Sequence, residues 1–177
     1  MRIIRGIHRG RKITAPSNLP VRPTTDLAKE SLFNILENNV YFEDLNVLDL
    51  YAGTGSISYE FASRGSRQVI AVDIHPNCIK FISETASKLR FDQLKAVRSS
   101  SIGFLNYTRE KFDLIFADPP YDLEGIEEVI GLVFKKAMLN EGGWLVIEHS
   151  EGKDFSALPY FSQHRNYGKV NFSFFRK

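Results

Sequence analysis

The stretch Asn46-Val47-Leu48-Asp49-Leu50-Tyr51-Ala52-Gly53-Thr54-Gly55-Ser56-Ile57 decides the fold. Leu45, Val47, Leu48 and Leu50 make an apolar run of strand length. Gly53 and Gly55 permit positive φ and let backbone come close to a ligand. Ser56 is placed to begin a helix whose first N–H groups point back at the same pocket. A buried strand passing through a glycine turn into a helix is the opening unit of an α/β domain.

This loop is an imperfect match to a dinucleotide fingerprint, because the third glycine of G-x-G-x-x-G would fall at Ser58. Asp49 points the same way: a carboxylate at the strand end repels a pyrophosphate seated on the helix N-terminus. It suits a ligand carrying a cationic ammonium group, as S-adenosylmethionine does. The next strand, Gln68-Val69-Ile70-Ala71-Val72-Asp73, ends in an acid about 20 residues on, where an adenosine ribose expects a partner. S-adenosylmethionine is the expected cofactor.

A second motif follows the apolar strand Phe112-Asp113-Leu114-Ile115-Phe116-Ala117. It reads Asp118-Pro119-Pro120-Tyr121. Pro119 and Pro120 lack N–H groups and stiffen the chain, leaving carbonyls free to accept. One such carbonyl with the Asp118 carboxylate can hold both hydrogens of a primary exocyclic amine, and Tyr121 offers a face for a base to stack on. An amine on a nucleobase is a poor nucleophile, since its lone pair is delocalised into the ring. Two acceptors favour a pyramidal nitrogen aimed at a methyl donor, so proximity and preorganised charge carry the reaction without a strong base. The base must first be exposed or flipped out.

Working outward, strand and helix alternate from Leu45 onward, which predicts parallel βα units. Helices are expected to residue 65 after the first strand, from Pro76 to about residue 90, and over 123–139. Asn140-Glu141-Gly142-Gly143 reads as the stop of that last helix. A weak strand is expected over 94–97, an irregular or short helical piece to residue 108, and a strand at Trp144-Leu145-Val146-Ile147-Glu148. The tail, 160–176, reads as two strands turning near Tyr167-Gly168. Upstream, Thr24 or Thr25 caps a helix running to about residue 38, with Ala28, Leu32, Ile35 and Leu36 on one face for packing on the sheet.

The chain has 177 residues, 43% apolar and 25% charged, which predicts one globular domain with a full core. Net charge is +2, unevenly spread: residues 1–25 hold Arg2, Arg5, Arg9, Arg11, Lys12 and Arg22 with no acid, and the remainder sums to −4. The segment Arg2-Ile3-Ile4-Arg5-Gly6-Ile7-His8-Arg9-Gly10-Arg11-Lys12-Ile13 reads as two short strands bent at glycines. Such a basic hairpin arm over 1–23, on a methyltransferase domain over 24–177, suggests a polyanionic partner, a nucleic acid. Its six basic residues are the candidate RNA contacts. One cysteine, Cys78, excludes an internal disulfide and suits helix packing. No apolar run reaches membrane-spanning length and no apolar stretch follows Met1, so neither a span nor a secretory leader is expected. The four histidines have no metal-ligand spacing, so no metal site is expected. Glu148 and His149 end a strand within reach of a substrate, but ordinary capping or solvation is the expected role, and Phe172, Phe174 and Phe175 read as core.

Together these residues resemble a known family. Val47-Leu48-Asp49-Leu50-Tyr51-Ala52-Gly53-Thr54-Gly55 and Asp118-Pro119-Pro120-Tyr121 are similar to the cofactor and catalytic motifs of class I amino-methyltransferases. The front end narrows this: Arg9-Gly10-Arg11-Lys12-Ile13, then Arg22-Pro23-Thr24-Thr25-Asp26 with Glu30-Ser31-Leu32-Phe33-Asn34, resembles the RsmD-type methylases. Those are bacterial enzymes that methylate guanine N2 in small-subunit (16S) ribosomal RNA. The resemblance implies a Rossmann-like, mostly parallel seven-stranded sheet of order 3-2-1-4-5-7-6 with strand 7 antiparallel, flanked by helices. It implies Asp49, Ala52, Gly53 and Gly55 around the methionyl part, Asp73 and Ile74 at the adenosine, and Asp118 through Tyr121 at the target amine. Where the family has an acid after the third strand, this chain reads Arg98-Ser99-Ser100-Ser101, so Ser100 takes the adenine contact, more weakly than a carboxylate. A cytoplasmic monomer acting on 16S rRNA, free or within the small subunit, is expected. The nearest rival is the same chemistry on another amine, such as adenine N6 or, less favoured, a protein glutamine; from other classes come an RNA-binding protein with a vestigial pocket and, last, a nicotinamide oxidoreductase.

Overall fold

The computed structural model describes residues 1–16, 19, 25–120 and 125–177. Helix α1 (Asp26–Glu37) begins at Thr25, whose hydroxyl accepts from the Ala28 N–H at 3.2 Å. Strand β1 (Asn46–Leu50) leads to α2 (Ser56–Ser63), β2 (Gln68–Asp73) to α3 (Pro76–Leu89) and β3 (Leu94–Arg98) to α4 (Ser101–Tyr107). Strand β4 (Phe112–Ala117) precedes α5 (Ile126–Lys135), and β5 (Leu139–His149), β6 (Phe161–Tyr167) and β7 (Val170–Arg176) complete the chain.

The strands form one sheet in the order β3-β2-β1-β4-β5-β7-β6. The first five run parallel, and β7 lies antiparallel to both β5 and β6. This is the order implied by the resemblance. It follows from covering both faces of a parallel sheet with right-handed crossover helices. Val47, Ala71, Phe116 and Val146 face a cluster with Leu32, Phe33, Phe61 and Ile82 from α1, α2 and α3. Leu48, Val72, Ala117 and Ile147 face the opposite cluster with Phe104, Val129, Ile130 and Val133 from α4 and α5. Each fully buried side chain of this size contributes on the order of 2 kcal/mol, so the two clusters dominate stability. Phe172, Phe174 and Phe175 are buried core, and Cys78 is buried in α3, as their sequence suggests.

One boundary differs from the sequence reading. The helix expected over 123–139 ends at Lys135, and its Leu123 start lies outside the described residues. Ala137 adopts φ +50°, and the Met138 N–H returns to the Val133 carbonyl at 3.0 Å, which closes the helix early. Asn140-Glu141-Gly142-Gly143 is therefore not a helix stop but a bulge inside β5. The register passes from Phe112↔Leu139 to Leu114↔Trp144. A Cβ on Gly143 would lie 2.9 Å from the Asn140 carbonyl oxygen, so glycine is required there.

The N-terminal arm is a ribbon joined by a single bridge, Arg2↔Lys12, and not the two strands the sequence suggests. Its two limbs are tied by backbone hydrogen bonds, Ile3 N–H to the Arg11 carbonyl (3.0 Å), Gly10 N–H to the Ile3 carbonyl (2.8 Å) and Ile13 N–H to the Met1 carbonyl (3.0 Å), and the arm also bonds to α2. Ile7 N–H donates to the Ser63 carbonyl at 2.8 Å, and Ile4 and Arg5 N–H groups donate to the Glu60 carboxylate at 2.8 and 3.0 Å. Gly6, at φ +85°, lies so close that a Cβ would meet the Ser63 carbonyl oxygen at 1.9 Å. Ile3 and Ile13 join the core. Lys29 of α1 completes the joint, its buried ammonium donating to the Arg2 carbonyl (2.6 Å) and Ser56 hydroxyl (3.2 Å) beside Glu60 (3.7 Å). No described helix is long and apolar enough to cross a membrane.

Candidate active site

Strand order reverses between β1 and β4, because β2 and β3 lie to one side of β1 while β4 and β5 lie to the other. In open α/β sheets the crevice at the carboxyl end of such strands is the ligand site. Both sequence motifs meet there. Leaving β1, the chain takes left-handed φ at Tyr51 (+62°), Gly53 (+54°) and Gly55 (+79°) before α2 starts at Ser56. Tyr51 bears the strain of that conformation with a side chain in place, a cost of order 1–2 kcal/mol of the kind that clusters at functional sites. Gly55 is needed for a reason the sequence does not reveal: a Cβ there would meet Tyr59 and Ile82 at 2.9 Å.

Register places the acids. Leu50 pairs with Val72 and with Ala117, and Ala117 with Ile147. One residue further on, Asp73, Tyr51, Asp118 and Glu148 therefore form a row across β2, β1, β4 and β5. Residues two apart share a face. Asp49, Asp73, Asp118 and Glu148 follow Val47, Ala71, Phe116 and Val146 by two, so all four acids belong to the α1–α3 face, with Asp49 one pleat deeper. Four carboxyl groups thus gather at one mouth.

Burial holds Asp49, Asp118 and Glu148 back from ionising, with repulsion from neighbouring acids added at Asp49 and Glu148. Asp49 is buried and accepts the Ser58 hydroxyl at 2.5 Å. Desolvation, against the pull of Ser58 and aided by Asp118 and Asp73, pushes its carboxyl up to about 7. Desolvation likewise pushes Asp118 up to about 7. Glu148, desolvated and facing Asp118, is pushed up to about 9. Asp73 is fixed by two backbone donors, Gly53 N–H and His75 N–H, each at 2.8 Å. The first of these ties the glycine loop directly to the end of β2.

The remaining expected site residues are distributed as follows. The Ala52 N–H donates to the Val72 carbonyl at 3.0 Å, which pins the start of the loop to β2. Ile74, next to Asp73, is 58% exposed, an apolar surface open to a flat partner. Ser100 is the N-cap of α4 and its hydroxyl oxygen accepts from the Gly103 N–H at 3.1 Å, which leaves its O–H to donate. Pro119 is buried and Pro120 exposed beyond Asp118, while Tyr121 lies outside the described residues.

In the basic arm, Arg2 pairs with Asp26 at 3.7 Å and Arg5 with Glu37 at 2.7 Å. These two therefore hold the arm to the body. Arg9, Arg11 and Lys12 are exposed and make no ion pair among the described residues. Arg22 lies outside the described residues.

Sequence reasoning missed Lys29 and Glu60 and set Glu148 aside. Glu148 corrects an expectation outright: it is neither capping nor solvated but 3% exposed, and its Oε2 has no hydrogen-bond partner. Its place in the row comes from the register of β5 on β4, which local sequence does not display. His149, also expected to be solvated, is buried and bonded to the Ser150 carbonyl and the Ser173 hydroxyl, each at 2.9 Å.

The family model described as conserved hypothetical protein 95 matches residues 1–176. Bacillus subtilis YlbH, described as a candidate rRNA methyltransferase, is 34% identical over 153 residues, covering 84% of this chain and 82% of its own. The Escherichia coli protein named ribosomal RNA small subunit methyltransferase D is 31% identical over 148 residues, covering 84% of this chain and 71% of its own. The solved structure of Escherichia coli yhhF, 27% identical, superposes with a TM-score of 0.88 over 100% of this chain and 97% of that one.

Proposed function

The chain belongs to the RsmD-type methylase family, and from that premise we propose that it transfers a methyl group from S-adenosylmethionine to the exocyclic N2 amine of a guanine in small-subunit (16S) ribosomal RNA. The observation that carries this reading is the single row of acids Asp73, Asp118 and Glu148 above Asp49, at the switch point beside the glycine loop. Such a mouth repels phosphate and attracts a cation.

The residues present fit this cofactor. A buried carboxyl held near neutrality, Asp49, is suited to stabilise a positive group, and the left-handed loop at Gly53 and Gly55 leaves backbone without side chains on the approach. Asp73, already oriented by two N–H groups, keeps lone pairs for the ribose hydroxyls. Ile74 would cover one face of the adenine, and the Ser100 hydroxyl would hydrogen-bond its amine. When bound, S-adenosylmethionine supplies an electrophilic methyl group on a sulfonium.

The chain's own residues then do the positioning. Asp118 accepts one hydrogen of the target amine and a carbonyl of the Asp118-Pro119-Pro120 turn accepts the other, so the nitrogen lone pair is turned toward the methyl. The amine loses a proton as the new N–C bond forms, and Asp118, poised near 7, is the nearest base to take it. Tyr121 stacks on the base, and Arg9, Arg11 and Lys12 meet RNA phosphates outside the mouth.

The test uses labelled S-adenosylmethionine with small ribosomal subunits from a methylation-deficient strain, then nucleoside analysis of the RNA. Label in N2-methylguanosine is the expected result. Label in N6-methyladenosine would move the target to adenine. No label and no cofactor binding by calorimetry would leave an RNA-binding protein with a vestigial pocket.

A further inference from the structure

The mouth contains one acid that neither the cofactor nor the methylated amine uses. Glu148 ends β5, one position past the Ala117↔Ile147 pair, so it stands beside Asp118 in the row. It is 3% exposed and its Oε2 bonds to nothing. Its in-register neighbour on the other side is Phe172, which offers no donor. A buried carboxyl oxygen without a partner is costly and rare. It caps no helix and joins no ion pair among the described residues. A ligand donor is the partner that geometry leaves open.

Base chemistry names that donor. Adenine, cytosine and guanine all carry an exocyclic amine. In adenine and cytosine the ring nitrogen beside the amine is a bare lone pair, whereas in guanine the neighbouring N1 carries a hydrogen. Adjacent strands stand about 4.8 Å apart, a separation two carboxyl groups can close to meet neighbouring donors on one base edge. With Asp118 on the amine, we propose that Glu148 accepts the guanine N1–H and is the residue that selects guanine over the other amine-bearing bases. This rests on the guanine-N2 reading above and deepens it.

The selection is built from repulsion as much as attraction. Two carboxyls side by side keep one proton between them. With that proton lying between Glu148 and Asp118, Glu148 presents only lone pairs to the base. An N1–H satisfies them; a bare ring nitrogen sets lone pair against lone pair. A site built to accept a substrate hydrogen rejects the analogue that lacks it far more strongly than shape alone could.

The experiment compares guanine with 2-aminopurine, which keeps the amine at C2 and has no hydrogen on N1. Small-subunit RNA carries either base at the mapped target position by splint ligation, and single-turnover methylation is measured for the wild-type protein, Glu148→Leu and Glu148→Gln. Wild type is expected to prefer guanine by at least about 100-fold. Glu148→Leu loses activity on guanine and brings the ratio toward one. Glu148→Gln lowers the ratio as well, because its amide can turn an N–H toward bare N1. Equal wild-type rates on the two bases overturn the proposal, as does a Leu or Gln variant that slows both substrates by the same factor. Wild-type discrimination stands as a readout even where Glu148→Leu fails to fold. A wild-type protein that yields no N2-methylguanosine in the first place refutes the underlying reading instead, and the two failures are told apart by that control.

Discussion

Replacing Glu60 by alanine tests what holds the basic arm to the catalytic body. Glu60 is fully buried in α2, and its two oxygens accept from the Ile4 N–H (2.8 Å), the Arg5 N–H (3.0 Å) and the Arg64 guanidinium (2.9 Å), with the Lys29 ammonium 3.7 Å away. Lys29 is itself pressed toward its neutral form by burial, against the pull of Glu60 and Asp26. Removing one partner of a buried charge pair costs about 3–5 kcal/mol. Each backbone N–H left buried without an acceptor adds about 1–3 kcal/mol. These losses do not add in full, because the arm can peel away and let water reach Ile4 and Arg5. The expected net loss is therefore about 4 kcal/mol, or about 2 M in the urea midpoint at a slope near 2 kcal/mol/M. Amide exchange at Ile4, Arg5, Ile7 and His8 should rise together, since all four N–H groups end on α2. Glu60→Gln, which keeps one acceptor oxygen, should lose about half as much. A Glu60→Ala protein within about 1 kcal/mol of wild type, with those amides still slow to exchange, would refute the argument.

Four further outcomes follow from the same geometry. Gly6→Ala should release the arm without touching the sheet, because φ +85° and a 1.9 Å approach to the Ser63 carbonyl oxygen both forbid a Cβ; exchange of the Ile7 amide reads it. Asp118→Ala should lower methyl transfer by about 100- to 1000-fold while calorimetry shows cofactor affinity largely kept. Replacing Arg9, Arg11 and Lys12 together should weaken RNA binding and reduce the salt slope by about 2–3, whereas an unchanged slope would remove the arm from the contact surface. Asp49 and Asp118, both raised from 3.8 to about 7, bind protons in the folded state that they lack in the unfolded one. Their share of ligand-free stability is thus present at low pH and lost as pH rises from about 4 to 7. Thermal melts should show that fall, blunted in Asp49→Asn, and cofactor binding at pH 7 should release on the order of one proton.

The fold was legible because its signals are local. Apolar runs bounded by Asp49, Asp73 and Asp118 mark three parallel strands with their ends, and Thr25 and Pro76 mark helix starts. What misled was punctuation. Gly142-Gly143 looks like a helix stop, yet the helix ends at Lys135, just ahead of a left-handed Ala137, and the glycines make room for a bulge. The candidate cofactor loop was readable residue by residue, since Asp49 lies within an apolar strand and Asp73 ends the next. Glu148 was not, because its importance comes from register with β4 and from burial by β7, neither of which local sequence displays. Lys29 and Glu60 carry no local signal of their burial, which comes from the docking of a segment more than fifty residues away from Glu60.

The charge separation noted in the sequence takes on a physical role once the arm is seen docked. Two of its five described basic side chains are spent on the body: Arg2 and Arg5 face Asp26 and Glu37, leaving Arg9, Arg11 and Lys12 at the turn. The mouth, by contrast, concentrates four acids. A polyanion drawn to the arm is repelled from the mouth, and that repulsion falls on phosphates and not on an uncharged base. The proposed substrate can satisfy both fields only by keeping its backbone on the arm and sending one nucleotide forward, base first. Extrusion of the base is then favoured by the protein's own field as well as required by the geometry of the amine. Raising ionic strength should therefore weaken RNA binding through the arm while easing entry of phosphate into the mouth. Turnover measured at saturating RNA should consequently lose its preference for single-stranded over paired targets as salt rises, and a preference independent of salt would place the selection in shape alone.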